Sequence, residues 1–139
     1  MTLRLYVDSS VILRVLFEEA ERLREWDTYT SGVTSALTHV ECIRSIDRLR
    51  LRRGPPDSEA DRLRSQAIDI LLRQSIVPLN DDVLRLACGP FPTPLGSLDA
   101  LHLASALLLH GTDPTLGFAT HDRELGIAAR AIGLTVYGA

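Results

Sequence analysis

The sequence predicts an α/β fold in which a central, mostly parallel five-stranded sheet lies between two layers of helices. Short β-prone runs such as LRLYV alternate along the chain with longer segments that carry apolar residues at helical spacing. Elements that alternate in this way form parallel sheets with helices on both faces, joined by right-handed crossovers. The 139 residues fit a single domain, 1–139, with one sizeable core.

The predicted strands are short apolar or β-branched runs that end at polar or turn-forming residues. The first of them stops at Asp8, and the fourth stops beside His121 and Asp122. In chain order the strands cover residues 3–7, 29–35, 76–79, 116–120 and 134–138.

The predicted helices follow these strands, and each carries an apolar row. In chain order they cover residues 10–25, 36–52, 58–74, 81–88, 98–110 and 122–132. The inward row of the second helix is Leu37, Val40, Ile43, Ile46 and Leu49. Helix 98–110 is apolar on nearly every side, which is typical of a central helix, and Ser97 is its expected N-cap.

Composition excludes several functional classes. The formal net charge is −3, and all 15 basic residues are arginine, so a Walker A loop and a receiver domain, which both require lysine, are excluded. No run of about 20 apolar residues and no secretory signal is present, which predicts a cytoplasmic protein with no membrane association. Cys42 and Cys88 lie in apolar patterns and are expected to be buried thiols.

Four acids fall where the predicted sheet would bring them together. Asp8 follows the first strand, Asp122 follows the fourth, Asp99 lies in the first turn of the apolar helix, and Glu41 lies near the start of the helix after the second strand. Sites in open parallel sheets form at the carboxyl ends of the strands. Each acid alone also fits a helix cap or an exposed helix position, so the functional interpretation depends on their joint placement.

Electrostatics determines what such a cluster can do. Two unit charges 4 Å apart repel by roughly 4 kcal/mol at an effective dielectric near 20. A helix N-terminus offsets only about 0.3–1 kcal/mol per carboxylate. Four close carboxylates would therefore take up protons or bind a cation, and Mg²⁺ prefers oxygen ligands. This arrangement indicates phosphoryl or phosphodiester chemistry.

Four motifs resemble those of PIN domains, and most closely those of VapC-type toxins from toxin–antitoxin pairs. They occur in the family's order and spacing and cover essentially the whole chain. The motifs are VDSSVIL (7–13), HVECIRS (39–45), LGSLDALHLASA (95–106) and FATHDREL (118–125).

The resemblance implies a three-layer α/β/α fold and a Mg²⁺- or Mn²⁺-dependent endoribonuclease. By position, Asp8, Asp99 and Asp122 would be metal ligands, and Glu41 would help to hold the metal or activate water. Two hydroxyl residues, Ser10 and Thr120, match the supporting positions of the first and last motifs. The resemblance also implies an RNA substrate, a cognate VapB-like antitoxin and a homodimer.

Other polar residues admit two interpretations. Arg44 and Arg48 share one side of a helix with Glu41 and could contact RNA or an antitoxin, or could simply be solvated. His102 follows Asp99 by three residues and could approach the site, but a packed or structural role is expected. His121 is expected to point away from the site, since adjacent residues at a strand end face opposite ways.

Two other functions remain open on the sequence. The first is a catalytically silent PIN fold that binds RNA or protein, which the complete set of acids argues against. The second is a haloacid-dehalogenase-like phosphohydrolase, which needs an aspartate two residues after the first; position 10 is serine. Cleavage of RNA and hydrolysis of small phosphomonoesters would distinguish these alternatives.

Overall fold

The computed structural model describes residues 2–139 and contains one five-stranded sheet in which all neighbouring strands are parallel, which confirms the predicted fold class. The strands are shorter than the sequence predicted but fall in the same places. They are β1 (Arg4–Val7), β2 (Ser31–Ser35), β3 (Ser75–Val77), β4 (Gly117–Ala119) and β5 (Val136–Tyr137).

Helices connect each strand to the next. No helix in residues 2–139 combines the length and the apolar character needed to cross a membrane. The helices are α1 (Ser9–Leu16), α2 (Ala36–Arg53), α3 (Asp57–Leu72), α4 (Asp81–Ala87), α5 (Ser97–His110) and α6 (Arg123–Ala131).

The strand order β3-β2-β1-β4-β5 puts β1 at the centre of the sheet. Because side chains alternate along a strand, Leu5 and Val7 join the core beneath α1, α2 and α3. Tyr6 faces the other way and joins the core formed by α4, α5 and α6. The protein therefore has three layers, and the carboxyl edge of the sheet is where both helical layers meet.

Helix α1 ends at Leu16, so the prediction that it continues to residue 25 was wrong. The backbone of Glu18 and that of Glu21 are left-handed, with φ of 53° and 60°, which no α-helix can accommodate. Leu23 is nevertheless 2% exposed and packs in the core from the loop. The apolar spacing that continues to Leu23 therefore reflects burial of this side chain in the core and not a longer helix.

The buried side of α2 differs from the predicted row. Val40 is 55% exposed, whereas Cys42 and Thr38 are buried. A row spaced by three residues drifts around a helix of 3.6 residues per turn, so its members cannot all face one core. The buried residues of α2 are instead Leu37, Thr38, Cys42 and Ile46, which are spaced by about four residues.

Two local predictions were also wrong. Cys88 is exposed, because it lies just after the short helix α4, while Cys42 is buried as expected. Ser97 is the first helical residue of α5, and Gly96 is the N-cap, with no side-chain capping bond. The first-turn amide groups of α5 therefore lack a side-chain cap, and Asp99 is the acid in that turn.

Truncation within α5 should separate core packing from surface exposure. Leu103 is fully buried, so Leu103→Ala should lower the free energy of unfolding by about 2–5 kcal/mol. Leu98 lies on the same helix but is 51% exposed, and Leu98→Ala should change it by less than about 0.5 kcal/mol. Urea denaturation of both variants measures the difference, and equal losses would contradict the packing described above.

Candidate active site

Asp8 is the most deeply buried acid of the site, at 4% exposure. It directly follows β1 and caps α1, where its Oδ1 accepts the backbone N–H of Val11 at 3.4 Å. The Ser10 hydroxyl donates to Oδ1 at 2.5 Å, and the Thr120 hydroxyl donates to Oδ2 at 2.7 Å. Both carboxylate oxygens therefore have a hydroxyl partner.

Burial still dominates the titration of Asp8. Loss of water raises the pKa of its carboxyl group, and the hydrogen bonds from Ser10 and Thr120, together with nearby His102, only partly offset this. The net direction is upward. Asp8 is thus a carboxylate that would gain from a nearby positive charge.

Thr120 links Asp8 to Asp122. It follows β4, which pairs directly with β1, and its hydroxyl accepts the backbone N–H of Asp122 at 3.0 Å. Asp122 then caps α6, accepting the N–H of Leu125 at 3.1 Å through Oδ1. Ser10 has the matching arrangement, because its hydroxyl accepts the backbone N–H of His121 at 2.9 Å.

Asp99 approaches the other acids from helix α5. It is half-buried in the first turn of α5. Burial raises the pKa of its carboxyl group, and the negative charges of Asp122, Asp8 and Glu41 raise it further, whereas His102 lowers it. The four predicted acids therefore share one electrostatic environment, as the sheet topology required.

Glu41 comes from the opposite helical layer, on α2. Its Oε1 lies 2.5 Å from Nε2 of His102, which is 2% exposed on α5. The other ring nitrogen of His102, Nδ1, lies 2.7 Å from the hydroxyl of the fully buried Tyr6. Burial raises the pKa of Tyr6, with a contribution from the charge of Asp8, so the phenol stays protonated.

The charges of the other three acids act on Asp99, but the four carboxylates do not meet at one point. Within residues 2–139, no three His, Cys, Asp or Glu side chains are grouped so that they could hold a metal ion as they stand. The hydrogen bonds explain this, because Asp8, Asp122 and Glu41 each face a separate partner. The side chains of the four acids offer carboxylate oxygens, which are the ligands that hard divalent cations prefer.

The family model for the PIN domain matches residues 5–131. The chain belongs to the PIN domain family.

Curated relatives within this family are named as ribonucleases. Ribonuclease VapC47 of Mycobacterium tuberculosis is 34% identical over 136 residues, covering 93% of this chain and 92% of its own length. Ribonuclease VapC46 of the same species is 35% identical over 136 residues, covering 95% of each chain.

Solved structures share the PIN fold at lower identity. FitAcB from Neisseria gonorrhoeae superposes with a TM-score of 0.70 at 20% identity, covering 96% of each chain. VapBC2 from Rickettsia felis gives a TM-score of 0.66 at 10% identity, covering 96% of this chain and 97% of its own.

Three further polar residues lie outside the acid cluster. Arg44 forms an ion pair with Asp47 at 3.0 Å, and Arg48 donates to the hydroxyl of Ser45. Neither arginine forms an ion pair with a site carboxylate within residues 2–139. The Nδ1 atom of His121 lies 3.3 Å from the carbonyl oxygen of Gly138, so this ring faces the C-terminal segment of the PIN domain.

The sequence did not single out Tyr6, and for His102 it favoured a structural role over an approach to the site. Their positions carried a usable signal, because Tyr6 precedes Asp8 by two residues in a strand and His102 follows Asp99 by three in a helix. Both spacings place a side chain on the same side as its acid. The contact with Glu41, however, joins positions 61 residues apart and depends on the fold.

The shifted acid titrations predict opposite effects of two substitutions on stability. The folded-state pKa of Asp99 is raised, so its ionised form destabilises the protein at neutral pH. Asp99→Asn should raise Tm at pH 7 without divalent metal. The gain should start to fall as pH drops through the raised folded-state pKa and be gone below the unfolded-state pKa.

The matched control is Asp113, whose pKa is lowered by hydrogen bonds from Thr115 and Arg4. Asp113→Asn should lower Tm at pH 7, and that loss should disappear at acidic pH below its folded-state pKa. Thermal melts from pH 3 to pH 8 measure both. Shifts of the same sign at pH 7 would refute the electrostatic interpretation.

Proposed function

We propose that this PIN domain protein is a metal-dependent endoribonuclease and the toxin of a type II toxin–antitoxin pair. The observation that carries the proposal is the set of four acids near the carboxyl edge of the sheet, where burial and the charges of Asp122, Asp8 and Glu41 raise the pKa of Asp99. The ribonuclease names of relatives at 32–35% identity support RNA as the substrate. A cytoplasmic location is part of the same proposal.

Mg²⁺ or Mn²⁺ is the proposed cofactor. Asp8, Asp99 and Asp122 would hold it, since all three offer carboxylate oxygens and burial raises the pKa of both Asp8 and Asp99, so a nearby cation would favour their ionised forms. Such a cation supplies a Lewis acid that activates water and neutralises charge on the phosphate. Side-chain rotation would have to bring the carboxylates onto the cation, because Asp8 and Asp122 each face a separate hydrogen-bond partner.

The protein's own groups have distinct roles in the proposed hydrolysis. Ser10 and Thr120 hold the Asp8 carboxylate in a fixed orientation through one hydroxyl each. Glu41 accepts a proton from the attacking water at the edge of the cluster. In-line attack on the phosphorus would break the P–O3′ bond, and the departing 3′ oxygen would take a proton from solvent, which gives 5′-phosphate and 3′-hydroxyl ends.

Cleavage of RNA tests this proposal directly. The purified protein should cut structured RNA with Mg²⁺ or Mn²⁺, and excess EDTA should abolish cleavage. Asp8→Asn and Asp99→Asn should each lower kcat by at least about 100-fold, because losing a ligand removes several kcal/mol of charge stabilisation. Gel-resolved products with end mapping give rates and termini.

Asp113→Asn is the control for that experiment, since Asp113 pairs with Arg4 away from the acids and its loss should leave kcat unchanged. Full activity of both site variants in EDTA would overturn the proposal. RNA binding without cleavage would instead support a silent binding module.

The α2 surface is the proposed route for the RNA backbone. Arg48 and Arg52 continue along α2 from the side of Glu41 and line a groove of about 610 Å³. Arg53 and Arg62 also line the groove, although the guanidinium of Arg62 forms an ion pair with Glu59. Arg44 lies nearer to Glu41 but is held by Asp47, so Arg48 is the stronger candidate for a phosphate contact.

Replacement of Arg48 should therefore weaken RNA binding more than chemistry. Arg48→Ser should raise KM several-fold with little change in kcat, and the effect should shrink at high salt, because phosphate contacts are screened. Arg85→Ser is the control, since Arg85 is exposed on α4 and paired with Asp82. A fall in kcat alone would contradict a binding role.

A VapB-like antitoxin and a second copy of the chain are the proposed protein partners. A toxin–antitoxin complex from Klebsiella pneumoniae shares the fold, with a TM-score of 0.64 at 14% identity, which supports the antitoxin.

An apolar surface beside β3 supports a homodimer. It includes Ile68, Leu72 and Ile76, which are 42%, 78% and 47% exposed.

A further inference from the structure

A buried chain of hydrogen bonds joins the elements that carry three of the four acids. The Tyr6 hydroxyl meets Nδ1 of His102 at 2.7 Å, and Nε2 of His102 meets Oε1 of Glu41 at 2.5 Å. Tyr6 lies on β1, His102 on α5 and Glu41 on α2. The chain therefore crosses the carboxyl edge of the sheet from one helical layer to the other.

Each inner member of this chain is rigidly placed relative to a site acid. Tyr6 is fully buried, precedes Asp8 by two residues on β1, and stacks on Phe118 with ring centroids 5.3 Å apart. His102 is one helical turn after Asp99 on α5. Neither ring can move without disturbing the core, so together they form a fixed anchor.

Glu41 is the acid that needs such an anchor. Its side chain is long and 20% exposed, and its charge lies close enough to Asp99 to contribute to the raised pKa of that carboxyl group. Without a partner, repulsion would favour rotamers that turn the carboxylate towards solvent. The contact with His102 opposes that movement.

We propose that His102, itself fixed by Tyr6, is a positioning residue that holds the Glu41 carboxylate at the edge of the acid cluster. The proposal rests on the ribonuclease function proposed above and assigns His102 and Tyr6 no contact with the substrate. An ionised carboxylate only accepts hydrogen bonds, so Nε2–H of His102 donates to Glu41. The Tyr6 hydroxyl holds the other ring nitrogen, Nδ1, at 2.7 Å.

Steady-state kinetics on RNA with Mn²⁺ test the positioning role. His102→Leu removes the donor and should lower kcat by about 10–100-fold with little change in KM, the usual range for partners of site ligands. His102→Gln keeps an amide N–H near the position of Nε2 and should restore most of the lost kcat. Tyr6→Phe should give a smaller loss, since Glu41 keeps its direct partner.

Two control variants separate positioning from general damage. His110→Leu changes a histidine at the far end of α5, and Tyr29→Phe removes a hydroxyl that contacts only Gln74; both should keep the wild-type kcat. Tm is measured for every variant. A folded His102→Leu with wild-type kcat, or a His102→Gln no better than His102→Leu, would overturn the proposal.

Nuclear magnetic resonance of the metal-free protein tests the contact without any assay of cleavage. In ¹H–¹⁵N spectra, the Nε2–H proton of His102 should be slow to exchange and shifted far downfield. Glu41→Gln should move that resonance, while Asp81→Asn, on exposed α4, should not. An unchanged resonance in Glu41→Gln would show that the two side chains do not meet.

The two experiments distinguish failure of this proposal from failure of the proposed function. Wild-type protein that does not cleave RNA, but whose His102 resonance responds to Glu41→Gln, would refute the ribonuclease and leave the anchor standing. Active wild-type protein whose His102 resonance ignores Glu41 would refute the anchor alone.

Discussion

The burial of one carboxylate, that of Asp8, is the constraint on which the site depends. An unpaired charge in a protein interior costs several kcal/mol, and hydrogen bonds to a charged group each return about 1.5–3 kcal/mol. Ser10 and Thr120 supply two of these bonds and the Val11 amide supplies a weaker third. The pKa of Asp8 is still raised, so the compensation is incomplete. The remaining demand for positive charge is what makes this position suited to a cation.

Sheet topology explains why the other polar groups gather around Asp8. With β1 between β2 and β4, the chain leaves three adjacent strands at one edge and enters α1, α2 and the turn before α6. Thr120 and Asp122 follow the neighbouring strand, and Glu41 follows the strand on the other side. Asp99 arrives separately, on α5. The site is thus the seam between two helical layers, and no single element contains it.

The sequence was informative wherever a property repeats locally. Alternating elements predicted the parallel sheet, and the acids were predicted to gather at its carboxyl edge, where the structure places Asp8 directly after β1. It failed where a single backbone angle or a distant contact decides the outcome. The left-handed conformation of Glu18 ends α1 nine residues early, although the apolar spacing continues to Leu23. The exposure of Val40 depends on how far α2 has rotated, and the bond between His102 and Glu41 spans 61 residues.

The hydrogen bonds that organise the acids also keep them apart. Asp8 is held by two hydroxyls, Asp122 by its own helix and Glu41 by His102. The three carboxylates stay close enough to raise the pKa of Asp99 without meeting at one point. A fully converged cage would add repulsion of roughly 4 kcal/mol for each pair 4 Å apart at a dielectric near 20. Because the free energy of unfolding of a folded protein is only about 5–15 kcal/mol, this repulsion would be a large fraction of it. In a metal-dependent nuclease, convergence would then accompany cation binding, which adds stability only to the folded state.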